Sequence, residues 1–205
     1  MALLLSVLEQ GMIYGILALG VYITYKILDF PDLTVDGSFP FGAAITVRLI
    51  NGFGVPAILT LPIAFLGGAL VGICTGLIHV KLKVRDLLSG IIMMTGLYTI
   101  NLWVAGSGYV AIFDKENIFN NSFVNSITPG FLVNFKNVII IFLITMVAKY
   151  LLDWYMSTKS GFLLRAVGDN DTIVTSLGVD KGLVKIVGLS IANGLVSLSG
   201  CIYAQ

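Results

Sequence analysis

Long apolar runs separated by short polar segments dominate the chain. A helix that crosses a bilayer needs about 20 mostly apolar residues, and on that criterion the pattern predicts six passes. The first runs from Leu3 to Tyr25. A short apolar piece, Phe39 to Ile50, follows the polar insert Asp29-Phe-Pro-Asp-Leu-Thr-Val-Asp-Gly-Ser38. The third, Val55 to Leu82, is long enough to tilt. The fourth covers Leu87 to Val104, the fifth Phe131 to Leu152, and the sixth starts near Leu183. Two loops exceed tight-turn length. The outer one, Gly106 to Gly130, mixes Asp114, Glu116, Asn120, Asn121 and Asn125 with Phe113, Phe119 and Phe123; it reads as a short surface helix or a cover over the outer mouth of a pathway. The inner one, within residues 155–182, is patterned like a structured element, and long structured loops are usually functional. Residues 1–205 therefore read as one all-α domain, a polytopic transmembrane helical bundle with a broken or short second helix and a structured cytoplasmic loop.

Composition removes the soluble alternative. Residues AVILMFWYC make up 57% of the chain and charged residues only 11%, against about 25% in a soluble domain that must clothe itself for water. The net charge of +1 supplies no electrostatic basis for nucleic-acid binding. Charge placement sets the sides. The tight loop Lys81-Leu-Lys-Val-Arg85 belongs in the cytoplasm. Crossing counts then put Lys26, Lys149, Lys159, Arg165, Lys181 and Lys185 there too, and leave Arg48, Lys115 and Lys136 outside. The N-terminus falls outside, provided that the short second run crosses. The Met-Ala-Leu-Leu-Leu start lacks a basic n-region and a small-x-small cleavage site, so it reads as a retained first helix. Ile186 to Gln205 closes the chain without a polar tail, and further helices are expected beyond it. Cys74 and Cys201 are isolated in apolar runs and give no disulfide framework or metal site. His79 has no nucleophile or acid in sequence reach and reads as a helix-end residue.

Three local patterns stand out. Gly68, Gly72 and Gly76 recur at spacing four in the third run, and Gly11 and Gly15 in the first; small residues let helix backbones approach where lipid offers little hydrophobic drive. In the polar insert, carboxylates at bilayer depth must face water or protein. Pro31, Gly37 and Pro40 favour a broken helix of the kind that lines a cavity. Asp32 and Asp36 would share a face if the segment were helical. Asp32, Thr34, Asp36 and Ser38 are accordingly candidates for a translocation pathway or its gate; the other reading is a cytoplasmic turn in which Asp36 or Ser38 caps the next helix. In the inner loop, Gly161 opens a helical stretch to Val167, Gly168 suits a left-handed helix end, and Asp169, Asn170 and Asp171 cap a second short helix that Gly178 closes. Phe162, Leu163, Ile173, Val174 and Leu177 give this pair an apolar side for a partner or for the membrane surface.

The run Leu164-Arg-Ala-Val-Gly-Asp-Asn170, followed by Ser176-Leu-Gly-Val179, Lys185 and Gly194-Leu-Val-Ser-Leu-Ser-Gly200, resembles the permease subunits of ATP-binding-cassette importers of the branched-chain amino acid and ribose type. Asp32-Leu-Thr-Val-Asp-Gly-Ser38 is similar to the Asp-Leu-Ser-Val-Gly-Ser segment of that family's sugar permeases, with Asp36 additional. In this variant it is nearer to permeases for amino acids such as tryptophan or tyrosine. Family members are longer, and the chain matches their first two-thirds. The resemblance implies that Gly161, Leu164, Arg165, Ala166, Val167, Gly168, Asp169 and Asn170 form a coupling helix that docks on a cytoplasmic ABC ATPase. It further implies an extracytoplasmic solute-binding protein, a second permease subunit forming a homodimer, and a place in the bacterial plasma membrane. No cofactor and no metal are implied. The chain carries no Gly-x-x-x-x-Gly-Lys-Ser/Thr run to cradle phosphates, so ATP chemistry would reside on the separate subunit. Two rivals belong to other classes: an ion-gradient-driven secondary transporter using the intramembrane aspartates, and an intramembrane enzyme, for which no nucleophile and base fall on facing spans.

Overall fold

The computed structural model describes residues 2–106, 112, 117–120, 135–176 and 178–205, with Ala2, Asp171 and Ile173 as backbone only. Phe113, Asp114, Lys115, Glu116, Asn121, Phe123, Asn125 and Leu177 lie outside these residues. Among the described residues the regular structure is all helical. Helix α1 (Ala2–Val21) continues as a π-helical turn, Tyr22–Ile27. It is followed by α2 (Val35–Phe53), α3 (Ala57–Leu82), α4 (Asp86–Ala105) and α5 (Lys136–Met156). Two short helices, α6 (Lys159–Asp169) and α7 (Asp171–Ser176), precede α8 (Lys181–Tyr203).

Among the described residues, five helical stretches are long and apolar enough to cross a membrane: Leu3–Ile27, α3, α4, α5 and α8. The sixth expected pass, α2, is not among them. It is longer than its apolar run Phe39 to Ile50 because the polar residues from Val35 to Ser38 are already helical, and those same residues dilute its hydropathy.

Helix α8 is the axis of the bundle. Of its apolar stretch 67% is buried, against 17–33% for the other four. Side-chain register fixes how its neighbours run. Ser38 and Gly42 of α2 meet Asn193 and Ser197, so α2 is parallel to α8. Gly68 and Gly72 of α3 meet Asn193 and Leu189, and Ser197 Oγ donates to the Ala64 carbonyl at 2.7 Å, so α3 is antiparallel. Ser199 Oγ donates to the Ile13 carbonyl at 2.7 Å while Gly20 abuts Ala192, so α1 is antiparallel too. Close backbone approach through small residues is what associates helices in lipid. A Cβ at Gly68 or Gly72 would overlap the carbonyl of Asn193 or Leu189, and one at Gly76 would press on Ile186. The pair Gly11 and Gly15 does not repeat this: both have open space where a Cβ would stand.

Two apolar clusters fill the bundle. Ile23, Ile27, Leu28 and Phe30 pack with Leu152, Met156, Leu164 and Leu189 at one end. Ile13, Ile16, Ile141 and Ile202 pack towards the other. The first end also gathers the termini rich in basic residues, namely the end of α3, α6 and the start of α8. Arg48 and Lys136 belong to the opposite end.

Candidate functional site

The chain reverses direction between α1 and α2, and this break brings the polar insert into the middle of the bundle. Thr24 Oγ1 bonds the Val21 carbonyl at 3.1 Å as the helix widens to π geometry; single π turns frequently mark functional positions. Leu28 N–H still reaches the Ile23 carbonyl and Phe30 N–H that of Thr24. Asp29 then takes φ +50°, one of two non-glycine residues with positive φ among those described. Pro31 prevents the helix from resuming directly.

Asp32 organises the return. One carboxylate oxygen accepts the Thr34 N–H at 2.8 Å, an Asx turn that launches α2. The other accepts Asn193 Nδ2 at 2.8 Å. Asn193 Oδ1 in turn accepts Ser38 Oγ at 2.6 Å, and its second N–H reaches the Leu189 carbonyl. Thr34 Oγ1 lies 3.1 Å from Thr75 Oγ1 on α3. Thr34, Ser38, Thr75 and Asn193 are all fully buried. Asn193 stands at the midpoint of α8, so this network lies at the depth where water is scarcest and buried polar groups most need partners. It ties α2, α3 and α8 to one aspartate.

The expected helical pairing of Asp32 with Asp36 does not form, because α2 begins only at Val35 and Asp32 stays in the turn. Nor do Asp36 or Ser38 cap α2; the donor at its start is served by Asp32. Asp36 is the exposed member of the four candidates.

The inner loop folds into α6 and α7 against the same break. Thr158 Oγ1 accepts the Gly161 N–H at 3.4 Å and starts α6. Gly161, Leu164 and Val167 form its buried face, while Phe162, Arg165, Asp169 and Asn170 are exposed. Asn170 Oδ1 accepts the Thr172 N–H at 3.1 Å and the Thr172 hydroxyl, and so begins α7. Gly178 closes that turn at φ +77°. Gly168 does not take the left-handed helix end that the sequence suggests: α6 runs on to Asp169 and Gly168 keeps negative φ. Glycine stands there for a different reason, since a Cβ would overlap the carbonyl oxygen of Ile27. Leu28 is buried, and it and Leu164 both lie against Gly188, where a Cβ would meet their side chains. A cleft of about 420 Å³ opens beside this contact, lined by Asp29, Asp86, Asp169, Asn170 and Lys185 among others. His79 seals the neighbouring helix end, its Nδ1 2.9 Å from the Val84 carbonyl and its ring edge-on to Phe30 at 5.1 Å.

Sequence reasoning missed Asn193, Thr75 and Asn101. The available signal was an isolated amide or hydroxyl in an otherwise apolar span, which is costly in a bilayer and hence seldom idle. Asn101 Nδ2 donates to the Gly37 carbonyl at 3.1 Å, and its buried Oδ1 has no partner among the described residues. No group of His, Cys, Asp and Glu among those residues could hold a metal ion.

Residues 3–205 match the family described as branched-chain amino acid transport system / permease component. A tyrosine transport system permease protein of Clostridioides difficile is 42% identical over 203 residues, covering 98% of this chain and 64% of that protein. A probable branched-chain amino acid transport permease protein LivH of Methanocaldococcus jannaschii is 26% identical, over 95% of this chain and 64% of its own length. The ribose import permease protein RbsC of Haemophilus influenzae is also 26% identical, over 97% and 59% respectively. The chain thus spans somewhat less than two-thirds of these relatives. No solved structure matches it. With its apolar helices packed around α8, the chain belongs to the branched-chain amino acid transport permease family of multi-pass membrane proteins.

Proposed function

We propose that the whole protein is the permease subunit of an ATP-binding-cassette importer in the bacterial plasma membrane, and that it carries an amino acid. An external binding protein delivers the solute, two permease copies enclose the route, and cytoplasmic ATPases drive the alternation of access. The tyrosine and branched-chain amino acid permeases among its relatives support the solute class.

The observation that carries this reading is the contact of Gly168 with the Ile27 carbonyl. Helix α6 offers Arg165 and Asp169 outward, yet through Leu164, Val167 and Gly168 it rests directly on the residues where α1 breaks. A motor pressing on α6 would move Leu28 and Asp29, and with them the turn that places Asp32 and Asp36. In this mechanism Asp32, Thr34 and Ser38 hold the hinge to α3 and α8, and Asp36 faces the route. The chain's part is mechanical: it transmits displacement and excludes bulk water.

The test uses the complete permease, its ATPase and its binding protein in proteoliposomes. ATP-dependent uptake should be abolished by Arg165→Glu together with loss of ATPase co-purification. Wild-type yield of the ATPase with that variant would count against a docking role for α6. Uptake that survives ATP depletion but collapses with an uncoupler would instead support an ion-gradient transporter using the aspartates.

A further inference from the structure

Of the three aspartates in the break, Asp32 is held by the bundle and Asp29 lines the cleft beside α6. Asp36 turns outward, its carboxylate without a hydrogen bond or ion pair among the described residues. Its depth follows from its neighbours: Gly37 is bonded to Asn101, and Ser38 to Asn193 at the middle of α8. A carboxylate at that depth is expensive against lipid and is retained where it meets water or protein.

Phe39, three residues on, shares its face of α2, about 4.5 Å along the axis at 1.5 Å per residue. The Phe39 ring stacks on Tyr14 of α1 at 6.1 Å and 21°, and lies 5.5 Å from the Tyr203 ring of α8. Tyr14 and Tyr203 are 6.2 Å apart. Three helices therefore contribute one ring each to a single cluster, and Tyr14 and Tyr203 remain 46% and 49% exposed. The side-chain carboxylate and the neighbouring rings suit a cation attached to an aromatic group.

We propose that Asp36, Phe39, Tyr14 and Tyr203 form a subsite for a zwitterionic aromatic amino acid. Its ammonium group sits at Asp36 and its ring lies against the aromatic cluster. A sugar leaves the Asp36 carboxylate uncompensated, and an aliphatic amino acid leaves the rings without a partner, so both are discriminated against. The subsite rests on the permease reading above, and deepens it by naming what the route selects.

Saturation-transfer NMR on the detergent-solubilised complete permease, with L-phenylalanine, L-leucine and phenylpropionate as probes, tests the subsite apart from transport. L-phenylalanine should show contact, with leucine and phenylpropionate each at least about tenfold weaker. Asp36→Asn should weaken phenylalanine about tenfold or more while sparing phenylpropionate, Asp36→Glu should restore most of the loss, and Phe39→Leu should bring phenylalanine to the level of leucine. Equal contact by all three probes, no contact by phenylalanine, or an unchanged Asp36→Asn response overturns the proposal. So does dissociation of a permease dimer by Tyr14→Ala and Tyr203→Ala with ligand contact intact, which would make the rings a seam between copies. If the reconstituted complex shows no ATP-dependent uptake of any amino acid, the importer reading fails whatever the NMR shows.

Discussion

At the scale of single residues, the chain depends on polar atoms that satisfy one another across great sequence distance. Asn193 serves Asp32 and Ser38 at once. Replacing it by leucine keeps the branched shape but strands an acceptor and a donor, each worth about 1–3 kcal/mol when buried without a partner. Asn193→Leu should therefore lower the thermal midpoint of the detergent-solubilised protein clearly. Asn193→Asp should be worse still, because it sets a second carboxylate against Asp32. The exchange Asp32→Asn with Asn193→Asp restores one charge and one amide and should recover much of the loss; no recovery would mean that the pair does not interact as described. The glycines divide by the same logic. Gly72→Ala must displace the Leu189 backbone and should cost about 1–3 kcal/mol, as overpacking does. Gly11→Ala meets nothing within 4 Å and should leave the melting curve unchanged.

At the scale of elements, the junction of α6 with the α1–α2 break is where position matters more than stability. Gly168→Ala inserts one methyl between α6 and the Ile27 carbonyl while leaving Arg165 and Asp169 exposed. The expected result is a loss of stability like that at Gly72, with ATPase binding retained in the folded protein and its uptake reduced at least about tenfold, measured per ATP hydrolysed, because a small misplacement at such a contact breaks transmission. Wild-type coupling in that variant would remove the contact from the mechanism. Much of this element plan was legible in the chain. The apolar runs gave the long helices within a few residues, apart from the fifth, whose expected start at Phe131 lies outside the described residues, since lipid demands unbroken apolar stretches and leaves little freedom about where they fall. The Asn170 cap and the Gly178 stop of α7 are local chemistry, readable from a few neighbours. What stayed hidden was long-range. Gly168 looked like a helix terminator because a capping glycine and a close-contact glycine are the same letter, and only the arrival of Ile27 distinguishes them. The start of α2 was placed too late because hydropathy cannot see that Asp32 supplies the first bond of a helix whose opening turn is polar. Asn193 was passed over because its partners lie 155 and 161 residues away.

At the scale of the whole molecule, the direction of α2 argues for a crossing that its hydropathy alone does not. Helix α2 runs parallel to α8, and α1 and α3 run against it, so the chain reverses at the break even though α2 is too polar to pass as a span by composition. The start of α1 and the end of α2 therefore lie at the same end of the bundle, near Tyr203, and the ends of α3 and α6 at the other. Basic residues concentrate at that second end, which the positive-inside tendency assigns to the cytoplasm. Single cysteines in a background with Cys74 and Cys201 replaced by serine make this measurable. A membrane-impermeant maleimide applied to intact cells should label Leu3→Cys and Gly52→Cys. Lys83→Cys and Lys159→Cys should react only after the membrane is permeabilised. If α2 were instead a surface hairpin that fails to cross, Leu3→Cys and Gly52→Cys would fall on opposite sides and only one of them would react in intact cells. That outcome would remove Asp32 and Asp36 from the bilayer and with them the route through the break, whereas labelling of both would leave a buried, water-starved hinge as the only place for the polar insert.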